Sequence, residues 1–330
     1  GASASSIAVP FVLGAALAPA LPRGLAGPAV SPLVFALFLG AAMSVTAFPV
    51  LARILEERRL LGTRLGALAL ASAAAADVSA WGLLAGITAA ARPGAGATPV
   101  ADALRALALA GTVAALAFAV GRPLVRRLLV TRAAGPEPTR EATWGVLLAL
   151  ACAAATEYAG VHALFGAFVA GAAIPRDGGL AERIAARLEP LVAGALLPVF
   201  FAAAGLRASV GLISGTALWG VFAVVLLVAV GGKLGGSALA ARAAGMPWNE
   251  ALSLGILMNT RGLMELVILT VGLDVGAVSP TLYAMMVLMA LATTMMTAPL
   301  LALIARRTAS ARAAGAPGAG PVGPAELGAG

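Results

Sequence analysis

Asp77 stands in the run Ala73-Ala74-Ala75-Ala76-Asp77-Val78-Ser79-Ala80-Trp81. A carboxylate among alanines can take up a proton or a small cation. At mid-bilayer it costs about 2.5–3.5 kcal/mol on insertion scales, so it marks a functional site or a partner for a buried positive group. Small neighbours leave room for close helix approach, water or an ion. Lys233, the sole lysine, lies in Gly231-Gly232-Lys233-Leu234-Gly235-Gly236. Lysine changes protonation readily when desolvated. It can pair with Asp77, carry a proton itself, or snorkel to the interface. Arg261 and Glu265, four residues apart in Asn259-Thr260-Arg261-Gly262-Leu263-Met264-Glu265, share a helix face and can pair. Either an architectural ion pair or a transport role fits them. Glu157 and His162 flank a short turn, as solvated residues or as a gate or pH sensor.

These groups need a membrane to make them costly, and the composition supplies one. The 330 residues are 61% hydrophobic and 11% charged, with a mean hydropathy of +1.00. Soluble domains carry about 25% charged residues. The chain therefore reads as an all-α polytopic membrane protein. About ten apolar segments follow: near 5–21, 33–54, 64–90, 100–121, 142–159, 162–174, 190–206, 214–241, 249–272 and 280–305. An amphipathic stretch, 180–189, reads as lying along the membrane surface. Alternate loops hold sixteen arginines against four, which sets the richer side as cytoplasmic and leaves both ends of the segment series inside. The net charge of +8 belongs to that asymmetry rather than to nucleic acid. A single cysteine, Cys152, excludes a disulfide scaffold. Residues 1–307 read as one transmembrane domain and 308–330 as a disordered Ala/Gly/Pro-rich cytoplasmic tail. No signal peptide is visible at Gly1.

Two segments read as broken. The second contains Gly40-Ala41-Ala42-Met43-Ser44-Val45-Thr46-Ala47-Phe48-Pro49, where Pro49 cannot continue the ladder. The ninth contains Met258-Asn259-Thr260-Arg261-Gly262, a polar patch with a helix-weak glycine. Irregular backbone at membrane depth survives only where it is buried or lines a cavity, and paired interrupted segments point to a transporter site. The loop pattern brings the triplets of segments 1–2–3 and 8–9–10 into the membrane from opposite sides, as an inverted repeat requires. Met285, Met286, Met289, Met295 and Met296 read as packing residues, since neither Cys nor His accompanies them as metal ligands.

Four stretches, in order, resemble the monovalent cation:proton antiporter-2 family, which includes plant cation/proton exchangers and bacterial Kef-type transporters. They are GAAMSVTAFPVLARIL (40–55), DVSAWGLLA (77–85), LLPVFFAAAGLRASVG (196–211), and residues 232–300 with GKLGG, MNTRGLMELV and ALATTMMTAPL. The resemblance implies a sodium/proton-antiporter-like inverted repeat. Two broken helices cross at the midplane of a core domain, which moves against a dimerisation domain. It also implies two or three further helices ahead of the first segment.

Carried onto this chain, the resemblance makes Asp77 the carboxylate that binds cation and proton by turns. Ser44 and Thr46 fall at the first break, and Asn259 and Thr260 at the second. Lys233 matches the core lysine of many members. The expected activity is exchange of Na⁺ or K⁺ for H⁺ by a multi-pass, plasma-membrane homodimer, with no cofactor, enzymatic activity or resident metal. The helix breaks would offer carbonyl ends to cations. One departure stands beside Asp77. Many members carry Asp, Asn or Gln where this chain has Ala76, so the exchange would be electroneutral or would use Lys233 for a proton. A ligand-gated K⁺ efflux pathway and a truncated, non-transporting homologue are the alternatives; no filter motif favours the channel.

Overall fold

The computed structural model describes residues 2–28, 30–91, 99–130, 138–159 and 163–314. His162 and residues 315–330 of the expected tail lie outside them. The described residues are helical, with one isolated bridge between Ala26 and Val278. Each of the ten apolar segments falls on helix. Among the described residues, six helices are long and apolar enough to cross a membrane, or seven if the bent pair Trp248–Met258 and Leu263–Asp274 counts as one span. Two shorter apolar helices, Ser5–Ala20 and Ala163–Ala173, accompany them. The chain is a helical, multi-pass membrane protein.

Helix α1 (Ala2–Leu17) packs on α2 (Pro32–Ser44). Ser31 caps α2 through Val34 N, and proline at its start needs no hydrogen-bond partner there. After an extended link at 45–47, α3 (Phe48–Glu57) begins with Pro49 in its first turn, where its missing N–H costs no ladder bond. Thr63 caps α4 (Arg64–Ala91) through Gly66 N at 3.1 Å. Next come α5 (Pro99–Leu116), α6 (Pro138–Tyr158), α7 (Ala163–Ala173), α8 (Leu180–Leu191) and α9 (Leu197–Arg207). The second half holds α10 (Gly215–Val230), α11 (Gly236–Ala243), α12 (Trp248–Met258), α13 (Leu263–Asp274) and α14 (Pro280–Ala314). A π-turn, Gly231–Gly235, joins α10 to α11 around Lys233.

Apolar packing sorts these helices into two groups. The larger gathers α1, α2, α4, α10, α13 and α14 around Phe38, Leu39, Met43, Leu84, Tyr283 and Met285. At its arginine-rich end it continues through Leu51, Leu55, Leu254, Leu257 and Leu301. The smaller joins the continuation of α5 to α6, α7 and α8 through Ala117, Cys152, Ala170, Val125 and Ile184. Trp81 of α4 stacks on Phe168 of α7, centroids 5.9 Å apart and planes at 28°, across the junction.

The stretch 180–189 does not form a separate surface helix. It runs through the π-turn Val192–Leu196 into α9, and Leu180 and Ile184 bury against Val125 and Leu129. Its apolar face has a protein partner, so the lipid interface is not needed to cover it. The π-turn follows Pro190, whose missing N–H already interrupts the α-ladder.

Candidate functional site

The two interrupted helices meet at their breaks. Val45 to Ala47 are extended between α2 and α3, and residues 259–262 separate α12 from α13 at a 43° bend. Backbone groups freed there find partners across the gap. Ala47 N donates to Thr260 O at 3.0 Å, and Thr46 Oγ1 donates to Met258 O at 3.1 Å. Both threonines are buried. A buried carbonyl without a partner costs about 1–3 kcal/mol, so these donors from the first break to carbonyls of the second help the broken helices persist in an apolar setting. The approach leaves little space. A Cβ on Gly262 would lie 2.9 Å from Val50 Cγ2 and 3.2 Å from Ala47 Cβ.

The carbonyl end of α2 is covered by cationic side chains. Arg261 Nη1 donates to Ala42 O at 3.1 Å and Nη2 to Met43 O at 2.8 Å. Nη1 also pairs with Glu265 Oε2 at 2.8 Å, and neither side chain of that pair is exposed. Lys233 Nζ donates to Ser44 O and, at 3.0 Å, to Ser6 O of α1. These positive groups sit at the negative end of the helix dipole. The carbonyl ends thus face cationic and hydroxyl donors of the protein itself. Last-turn carbonyls of α2 accept from Arg261 and Lys233, and Met258 O and Leu257 O of α12 accept from Thr46 and Thr260.

The remaining residues divide as follows. Ser44 Oγ turns back to Ala41 O at 2.8 Å, and Thr260 Oγ1 to Leu257 O at 2.8 Å. Asn259 Nδ2 reaches Met296 Sδ at 3.6 Å, while its Oδ1 is buried without a partner. Asp77 sits midway along α4, which packs on α1 and α2. Its Oδ1 is inaccessible and has no hydrogen-bond partner. Lys233 lies within electrostatic reach of Asp77 but forms no ion pair with it, its Nζ being turned to Ser6 and Ser44. Ser44, Thr46, Thr260, Lys233, Arg261 and Glu265 thus gather at the two breaks through their hydrogen bonds, Asn259 lies at the second break but bonds Met296, and Asp77 lies on α4, which packs on α2. Glu157, by contrast, caps the start of α7 through Ala163 N at 2.9 Å.

Thr294 is a junction residue that the sequence reading did not single out. Its Oγ1 accepts from Arg261 N at 2.9 Å and donates to Arg261 O at 2.7 Å, tying α14 to the second break. The signal was available: adjacent threonines, Thr293-Thr294, interrupt an otherwise apolar span.

The family model for the transmembrane sodium/hydrogen exchanger matches residues 2–304. The chain belongs to this family. Among curated relatives of this exchanger-family chain, Cation/H(+) antiporter 17 of Arabidopsis thaliana is 41% identical over 90% of the chain and 36% of its own length. Na(+)/H(+) antiporter NhaS4 of Synechocystis is 41% identical over 91% of the chain and 72% of its own length. K(+)/H(+) antiporter 1 of Saccharomyces cerevisiae is 35% identical over 82% of the chain and 31% of its own length. The chain thus spans little more than a third of the Arabidopsis relative. These relatives are named as transporters, in line with a non-enzymatic role for this family chain.

Proposed function

We propose that the protein exchanges a monovalent cation, Na⁺ or K⁺, for H⁺ by alternating access, with Asp77 as the competitive binding group. The observation that carries this reading is the partnerless, inaccessible Oδ1 of Asp77 beside two mutually bonded helix breaks. Burying a polar group without a hydrogen bond costs free energy. A proton or a cation on the carboxylate removes that cost, whereas the empty charged carboxylate keeps it. The empty form therefore crosses poorly, and the two flows are coupled. Asn259, Thr46, Thr260 and Ser44 are the polar groups nearest in function. Lys233 compensates charge or carries a proton, and Arg261–Glu265 is an architectural pair. The names of the relatives, cation/H⁺, Na⁺/H⁺ and K⁺/H⁺ antiporters, support the substrate class.

In this reading residues 1–307 form a ten-span inverted repeat with broken helices crossing at its centre, followed by a cytoplasmic tail. The larger helix group is the moving core and the smaller one belongs to a homodimerisation domain in the plasma membrane. The test is reconstitution into proteoliposomes with a proton gradient and a pH-sensitive dye, with Na⁺, K⁺ or Li⁺ added in turn. Cation-driven collapse of the gradient that disappears in Asp77→Asn supports antiport and names the ion. A gradient that holds with every cation, in correctly inserted protein, refutes it.

A further inference from the structure

Two unsatisfied polar atoms lie on α4 one turn apart. Asp77 Oδ1 is a buried acceptor without a donor, and Trp81 Nε1 is a buried donor without an acceptor. Residues i and i+4 share a helix face and their side chains are neighbours. A buried indole N–H ordinarily finds a partner, and here the neighbouring orphan is the group it lacks. The indole is held elsewhere. Its ring stacks on Phe168 of α7, in the other helix group. Trp81 is 5% exposed, so solvent does not satisfy its N–H in this conformation.

We propose that Trp81 is a positioning residue that alternates between two partners: the Phe168 ring in this conformation, and the Asp77 carboxylate in a second one. In the second, the indole N–H donates to Asp77 and competes with the transported cation for the same oxygen. The stack crosses the junction between the helix groups, so relative movement of the groups changes how readily Trp81 reaches Asp77. The inference rests on Asp77 being the ion-binding group and adds a residue that links its occupancy to α7. Lys233 is the charged group acting on Asp77 from the opposing helices, and it stays on Ser6 and Ser44 in this arrangement.

The competition predicts opposite effects from the two stacking partners. Trp81→Phe keeps a ring against Phe168 but removes the N–H, so the KM for cation falls several-fold. Phe168→Leu keeps an apolar side chain but loosens the stack, frees the indole for Asp77 and raises KM. In the double variant the N–H is absent, so loss of Phe168 has no further effect and KM matches Trp81→Phe alone. A merely structural role for Trp81 would lower activity in both single variants without opposite shifts. Unchanged KM in Trp81→Phe, equal directions in the two variants, or additive effects in the double variant each overturn the proposal.

A second readout does not depend on transport. In a Trp144→Phe, Trp219→Phe, Trp248→Phe background, Trp81 is the sole indole. Cation added to the detergent-solubilised protein shifts its emission, and Asp77→Asn abolishes that shift. Emission that ignores cation in protein that exchanges normally refutes the Trp81 proposal alone. A cation-dependent shift in protein that fails to exchange supports the contact and refutes the antiport reading instead.

Discussion

Asp77 and Glu265 are both carboxylates set among apolar helices, yet their surroundings assign them different work. Glu265 is locked to Arg261, which also holds two carbonyls of α2. Removing one partner of a buried pair leaves an uncompensated charge and costs about 3–5 kcal/mol. Glu265→Ala is therefore expected to lower unfolding stability in detergent by about that amount. Arg261→Ala is expected to lower it further, because it also strips donors from Ala42 and Met43. Asp77 Oδ1 has no hydrogen bond to lose. Asp77→Asn is expected to abolish exchange while leaving the melting temperature unchanged or raised. A melting temperature that drops with that substitution would mean that the carboxylate has a structural partner. Competition on one carboxylate has a kinetic signature too. The apparent KM for cation should rise as pH falls, with little change in the maximum rate at saturating cation, which initial rates across a pH series will read directly.

The helix breaks act as a unit because each satisfies the other's freed backbone, and α14 holds the second in place. Thr294→Val keeps the shape but loses both bonds to Arg261, whereas Thr294→Ser keeps the hydroxyl. The valine variant should lose about 1–3 kcal/mol of stability, and the serine variant should stay near the parent in the same unfolding assay. The positions of both breaks were legible in the sequence. Pro49 lacks the N–H needed to continue the ladder of α2, so it starts a new helix, and a polar patch with glycine cannot hide in lipid. What holds them was not legible, because the partners are far apart in the chain: Thr46 with Met258, Arg261 with Ala42 and Met43, Lys233 with Ser6. The amphipathic pattern of 180–189 was visible as well. Only packing could show that its Leu180 and Ile184 bury against Val125 and Leu129.

At the scale of the molecule, the arginine asymmetry gives an orientation that can be checked from outside the membrane. Gly62, in the turn between α3 and α4, is exposed with open space around it, and Ser209 follows α9 near the opposite end. With Cys152 replaced by alanine, Gly62→Cys should resist a membrane-impermeant maleimide applied to intact cells, and Ser209→Cys should react. The reverse pattern would invert the proposed topology.

Cationic side chains on the last carbonyls of α2 also bear on which ion the protein would choose. Discrimination between Na⁺ and K⁺ depends on the number and spacing of oxygens that replace bound water. Ala42 O, Met43 O and Ser44 O are engaged by Arg261 and Lys233, so these carbonyls are less available to replace an ion's bound water. In the proposed exchange, an ion on Asp77 would keep part of its hydration shell, and a partly hydrated ion is judged mainly by its charge. If the proposed exchange holds, Na⁺ and K⁺ are expected to drive it at similar rates, which the proteoliposome assay reads with each ion in turn.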